Sequence, residues 1–330
     1  MAERNSSNLE SKTGTHLAPD LFGDKQTEIA VTRTFWHGWP GCYLIANDSV
    51  EAIVVPAIGR VMQLRLKGEI EGPLWENRAL DGQQSEPAST EWINFGGDKS
   101  WPAPQTDWPL HQGREWPPPP GFDSGPVEAV AGERGVVLTS HAEPDYGIQV
   151  TRQVELDAEQ PVMRIRTEFR KLLGPPVTVG VWSITQLQDP ERVFIPLREE
   201  SKMRGGFIRL IEAEPEGLRI EGGLLSLVRH KIEPIKIGTD ASSMVWVGSA
   251  AVLRIDAEEG PGEYPDGGSV AQVYTNPDPV PYVELETQGP LATMSAGDRI
   301  ERTTTYTIMA RSTADAEAEA RKILRFGEDF

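Results

Sequence analysis

Val162-Met163-Arg164-Ile165-Arg166-Thr167-Glu168-Phe169-Arg170 is the stretch that decides the fold. Along an extended chain, Met163, Ile165, Thr167 and Phe169 fall on one face and Arg164, Arg166, Glu168 and Arg170 on the other. Such alternation marks an antiparallel strand with one face on a core and one in water. The rhythm recurs in both directions. Upstream it marks strands near residues 42–46, 50–55, 59–66, 127–130, 135–140 and 148–156. Downstream it marks 177–187, 207–210, 218–220, 244–248, 251–255, 270–274, 282–286 and 303–310. Roughly fifteen strands without a linker predict one large all-β antiparallel sandwich over residues 28–330 rather than two domains. Residues 1–27 are polar and aperiodic and read as a disordered or loosely docked arm. One helix is expected, over 312–325. Ser312 or Thr313 would cap it, Asp315 and Glu317 suit its first turn, and Arg321, Lys322 and Arg325 its last.

The chain has 330 residues, 38% hydrophobic and 25% charged, as in a folded protein. Its net charge of -18 argues against nucleic acid or an anionic membrane as partner. No apolar run approaches the roughly 20 residues that span a bilayer. No secretory h-region is visible, which favours the cytoplasm, or the periplasm if a signal was removed. Cys42 is the single cysteine, so no internal disulfide is possible, and it reads as a small buried hydrophobe.

One region breaks the rhythm. Asn94-Phe95-Gly96-Gly97-Asp98-Lys99-Ser100-Trp101-Pro102-Ala103-Pro104-Gln105 fits neither helix nor strand period. Its glycines permit positive φ and its prolines fix φ, so it reads as a rigid irregular loop. Trp108, His111, Arg114 and Trp116 follow at once. Ring faces beside convergent donors and acceptors suit a small polar ligand such as a sugar. A second candidate is Tyr282-Val283-Glu284-Leu285-Glu286-Thr287-Gln288, where Glu284 and Glu286 share one strand face. A third would bring Lys236, Tyr264 and Asp266 towards the same cavity. The nucleophile elbow, the Walker loop, the dinucleotide glycine fingerprint and zinc spacings are missing. The five histidines are scattered, and no metal or cofactor is implied.

Together these segments resemble the galactose mutarotase-like superfamily, in particular its DUF4380 branch. The resemblance rests on the 94–105 segment, Val55-Pro56-Ala57-Ile58-Gly59-Arg60-Val61, Gly180-Val181-Trp182-Ser183-Ile184-Thr185-Gln186, Lys236-Ile237-Gly238 and Glu284-Leu285-Glu286-Thr287-Gln288-Gly289-Pro290. It implies a β-supersandwich carrying a carbohydrate site on a concave sheet face, with 94–105 as an insertion over that face. Leu285-Glu286-Thr287-Gln288 is similar to the segment that bears the glutamate base of the sugar epimerases. The epimerase His-x-Tyr-Phe pattern is absent where Val181 to Gln186 stand, so an acid would have to be Lys99, His111 or Tyr264. The expectation is a carbohydrate-active protein using general acid/base catalysis on a sugar or sugar acid, with anomeric epimerisation first. Glu286 is the expected base, and Lys99 or His111 its charge partner. Asn94, Asp98, Trp101, Gln105, Arg114, Trp116, Arg60, Lys236, Tyr264 and Glu284 are the expected binding residues. The expected partner is a mono- or oligosaccharide. A uronate, acted on by a lyase, would pair with Lys99, Arg114 or Arg60. The alternatives are a non-catalytic sugar-binding protein and a scaffold whose tryptophans only pack.

Overall fold

The structure, a computed structural model, describes residues 28–85, 91–215 and 217–327. The arm expected over 1–27 lies outside them. In chain order the strands begin with β1 (Ala30–Trp36), β2 (Trp39–Ala46), β3 (Val50–Val55), β4 (Arg60–Leu66) and β5 (Asp98–Ala103). Short helices Trp108–Gln112 and Pro120–Asp123 follow. Next come β6 (Glu128–Ala131), β7 (Gly135–Thr139), β8 (Ile148–Leu156), β9 (Val162–Lys171), β10 (Val177–Gln188) and β11 (Arg192–Pro196). Then β12 (Ile208–Arg209), β13 (Arg219–Glu221), β14 (Leu224–Leu227), β15 (Ile235–Thr239), β16 (Ser243–Val247) and β17 (Ala251–Ala257). The last are β18 (Ala271–Thr275), β19 (Tyr282–Gln288), β20 (Ala292–Met294) and β21 (Arg299–Ala310), before the helix Ala316–Leu324.

The strands form two antiparallel sheets. The eleven-stranded sheet runs β1-β2-β3-β4-β5-β10-β19-β18-β15-β12, with β20 pairing with β10 off this path. The ten-stranded sheet runs β13-β14-β11-β16-β17-β21-β9-β8-β7-β6. In β9, Met163, Ile165, Thr167 and Phe169 are buried, while Arg164, Arg166 and Arg170 are exposed, as the alternation requires. Val54, Leu64, Val273, Val283 and Leu285 from the first sheet meet Val154, Ile165, Leu253 and Ile308 from the second in one apolar core. Among the described residues no helix is long and apolar enough to cross a membrane.

Two expectations need correction. Residues 98–103 are not loop but β5, an interior strand that is buried throughout. Its period is hidden because neither face meets open water and both carry polar side chains. Pro102 is tolerated opposite Val181 because the carbonyl of Pro102 accepts from Trp108 Nε1 at 2.8 Å. The polar edge of that residue thus faces away from β10, and the ladder loses no donor. The preceding glycines do what their type suggests. Gly96 and Gly97 have φ of +90° and +72°, and a Cβ on either would lie 2.2 Å from the Trp75 carbonyl or 2.5 Å from that of Val61. The C-terminal helix starts later than expected. Asp315 caps it by accepting from the amides of Glu317 and Ala318. Ser312 and Thr313 instead donate their amides to Glu319 Oε1.

Candidate functional site

Strand register puts the chemistry on one face of the eleven-stranded sheet. Between β10 and β5, Trp182 pairs with Trp101 and Ile184 with Lys99. Between β10 and β19, Ile184 pairs with Glu286 and Gln186 with Glu284. On β18, Gln272 and Tyr274 pair with Glu286 and Glu284, and on β15 Lys236 pairs with Tyr274. Paired residues share a face. The intervening residues Val283, Leu285, Val273 and Ile237 fill the core between the sheets. The cluster is thus fixed by the same alternation that builds the sandwich.

Above this face lies a cavity of about 700 Å³. Trp92, Trp101, Trp116, Trp182, Tyr274 and Tyr282 supply ring surface, and Glu284, Lys236, Asp266 and Asn276 supply polar groups. The tryptophans support one another. The ring of Trp101 meets those of Trp108, Trp116 and Trp182 edge-on at 5.5, 5.8 and 5.3 Å between centroids. Trp116 is 44% exposed at the mouth.

Two lysine–glutamate pairs underlie the cavity. Lys99 Nζ lies 3.5 Å from Glu284 Oε1 and 4.9 Å from the Trp101 ring centroid. Lys236 Nζ lies 3.0 Å from Glu286 Oε2 and 4.6 Å from the Trp182 ring centroid. Burial lowers the Lys99 pKa because it disfavours the charged form. Glu286 is fully buried, and Trp182 Nε1 also donates to its Oε2 at 2.8 Å. Its Oε1 has no hydrogen-bond partner among the described residues. Burial pushes the Glu286 carboxyl up to about 7, with Lys236 opposing and the Glu284 charge adding to the rise. At one side Asp266, in left-handed backbone at φ 51°, accepts from the amides of Gln272 and Gln288 at 2.7 and 2.9 Å.

Among the expected residues, Trp101, Gln105, Trp116, Lys236 and Glu284 line the cavity. Glu286 and Lys99 lie in the layer beneath it, joined to Lys236 and Glu284. The others do not converge there. Asp98 points into the inter-sheet core, where it pairs with Arg152, because its parity in β5 is opposite to that of Lys99. Arg60 is fully buried and bonds Asp123 and the Gly96 carbonyl. Asp123 also accepts from Trp101 Nε1, so Arg60 braces a wall rather than meeting a ligand. His111 lies against the ring of Tyr146 at 4.6 Å, outside the cavity, because it sits on the helix that follows β5. Arg114 lies beyond that helix, where its charge acts on Glu143. Tyr264 spends its hydroxyl on the backbone of Gly260. Asn94 faces the Tyr282 hydroxyl. Sequence reasoning missed Trp182, Gln272 and Gln288. Their signal was parity: a tryptophan and two amides on the face of the central strands that carries Glu286. Among the described residues no group of three or more His, Cys, Asp or Glu side chains is placed to hold a metal ion.

The fold is that of the galactose mutarotase-like proteins. A galactose mutarotase-like protein from Lactobacillus casei superposes with TM-score 0.53 at 9% identity, covering 82% of this chain and all of that one. One from Clostridium acetobutylicum gives 0.53 at 10% identity, covering 86% and 99%. A TPR-domain containing protein from Parabacteroides distasonis gives 0.56 at 13% identity, covering 89% of this chain and 55% of that one. Residues 43–261 match the domain of unknown function DUF4380, and the chain belongs to that family. No curated protein matches it in sequence.

Proposed function

We propose that this is a carbohydrate-active protein whose tryptophan-lined cavity holds a neutral sugar ring, and that Glu286 acts there as general base. The observation that carries the reading is Glu286 itself. It is a fully buried carboxylate under an aromatic cavity, with one oxygen unpartnered and an affinity for protons raised to about neutrality. A base works best with a pKa near the working pH. In anomeric epimerisation Glu286 takes the proton of the anomeric hydroxyl while an ammonium gives one to the ring oxygen. The ring bond to the anomeric carbon then breaks, leaving an open-chain aldehyde. Rotation and the reverse transfers close the other anomer. Lys236 is the ammonium in contact with Glu286, and its side chain is partly exposed to the cavity. Its movement onto the sugar would uncover Glu286. This assignment replaces His111, and it fits the similarity of Leu285-Glu286-Thr287-Gln288 to the epimerase base segment. A neutral sugar fits better than a uronate. Both ammoniums near the cavity are already paired with carboxylates, and Arg60 and Arg114 do not line it.

The test follows anomeric equilibration of a panel of aldoses by NMR with wild type and Glu286→Gln. Wild type is expected to accelerate equilibration of at least one sugar, and the variant to lose about 100-fold or more of that acceleration, the usual scale of general base catalysis. Equal rates in the two proteins, with sugar binding retained, would leave a binding module without catalysis.

A further inference from the structure

A second cavity of about 490 Å³ opens on the same sheet face. We propose that it is a second sugar subsite, so that the ligand is an oligosaccharide lying across the Trp75–Tyr282 ridge. This rests on the reading of the first cavity as a sugar site.

Register gives the first argument. Val54 pairs with Val61 but Ile53 with Gln63, so Met62 is an extra residue in β4. Such a bulge re-aims the side chains that follow it. Leu64 and Leu66 then pack on the inter-sheet core, and Gln63 and Arg65 emerge on the face that carries Glu284. Continuity gives the second. Tyr282 lines the first cavity and Gln188 the second, and these two are a register pair. The ring of Trp75, in the second cavity, lies 4.8 Å from that of Tyr282. A single aromatic ridge separates the two. The segment around Trp75 bridges to β10 through Leu74 and Leu187. From Gln63 to Glu284 is thus three strand spacings, roughly 14 Å, more than one pyranose ring covers.

The lining gives the third. Trp36 and Trp75 offer rings, and Glu76, Gln63, His37 and Arg78 offer polar groups. Glu76 accepts from Trp36 Nε1 and from Gln63 Nε2, each at 2.9 Å. Burial pushes its carboxyl up to about 7. Arg78 Nη1 donates to His37 Nε2 at 2.7 Å. His37 and Gly38 form the two-residue turn between the paired Trp36 and Trp39, with φ of 40° and 94°. Asn or Gly would serve that turn better than His. The imidazole is therefore a costly choice for the turn, and it stands in the wall of the cavity. Arg65 and Arg78 are already paired with Glu51 and Asp81. The chemistry is that of hydroxyl recognition beside ring faces, without a cation in reserve for an anion.

Isothermal titration would compare glucose and galactose with their α- and β-linked disaccharides and trisaccharides. Wild type, His37→Asn and Trp36→Ala would be used, each checked for folding by circular dichroism. His37→Asn suits the turn, so it keeps the test usable if Trp36→Ala does not fold. At least one disaccharide is expected to bind tenfold or more tighter than its monosaccharide. The variants are expected to lose most of that gain while the monosaccharide affinity stays within about twofold. Equal affinity for single and linked sugars, or a gain that survives in His37→Asn, overturns the second subsite and leaves the first reading standing. Absence of binding by every sugar overturns both.

Discussion

Asp98 and Glu286 are both fully buried carboxylates in central strands of one sheet, and they sit on opposite faces of it. Consecutive residues of β10 pair with them, Thr185 with Asp98 and Ile184 with Glu286. Asp98 is finished by the protein. Oδ1 takes the guanidinium of Arg152, and Oδ2 takes the hydroxyls of Thr185 at 2.7 Å and Tyr306 at 2.6 Å. Glu286 is left incomplete, with two donors on Oε2 and none on Oε1. A buried polar atom without a partner carries a free-energy cost. Where the fold gives every lone pair a donor, the charge holds the sandwich together. Where it stops halfway beneath a cavity, the remaining valence is open to a ligand.

The sharpest way to break this contrast is Asp98→Ala. It strands the Arg152 charge between the sheets, where its side chain is only 5% exposed. Removing one member of a buried pair costs about 3–5 kcal/mol. Urea unfolding is expected to show a loss of that size. A loss below about 1 kcal/mol would mean that Arg152 finds water and that Asp98 is not a keystone of the core.

Tyr306→Phe probes the same network more gently. The ring and its packing remain, and one donor to the carboxylate goes. Hydrogen bonds to charged groups contribute roughly 1.5–3 kcal/mol. A stability loss at the lower end of that range is expected, since Thr185 and Arg152 still serve Asp98. No loss at all would show that the network is over-supplied and would blur the contrast with Glu286.

The contrast also marks what the sequence makes legible. The sandwich follows from alternation wherever one sheet face is wet, as in β9, and there the strand bounds are readable almost to the residue. β5 is unreadable for the opposite reason. Lys99 and Trp101 on one side and Asp98 and Ser100 on the other are all buried. Period-2 patterning carries no signal when both faces hold polar groups in dry surroundings. The site divides in the same way. Glu284, Glu286, Lys236, Trp101 and Trp116 stand out by residue type. Asp98 and Arg60 look equally chemical, and only strand pairing shows that they belong to structural networks. Trp182 and Gln272 are invisible until the pairing of β10 and β18 with β19 is known, because parity across strands depends on register rather than on composition, whereas Gln288 shares the face of Glu286 within one strand. The helix start moved for a local reason. Ser312, Thr313 and Asp315 are all competent caps, and the carboxylate of Glu319 takes the first two amides and leaves Asp315 at the N-terminus.

Glu286→Gln sharpens the comparison through the pH dependence of stability. Burial raises the Glu286 carboxyl from 4.5 to about 7. Between those values the folded protein holds a proton that the unfolded chain releases. Stability changes with pH as the protons bound unfolded minus those bound folded, so this group makes stability fall as pH rises from 4.5 towards 7. Above that window the penalty is constant, and below it the penalty is absent. Glutamine has no proton to lose, so the variant is expected to gain on wild type across the window by at most about 3 kcal/mol, the full size of that shift. Its amide still accepts from Trp182, and Lys236, partly exposed, can turn to water. Glu76 is also raised to about 7 and gives both proteins a slope of the same sign. The measurement is therefore the difference between the two unfolding curves, taken by urea at about pH 5 and about pH 8, and not either slope alone. Parallel curves would mean that Glu286 is solvated like a surface glutamate. The distinction between a carboxylate completed by the fold and one left open beneath the cavity would then fall.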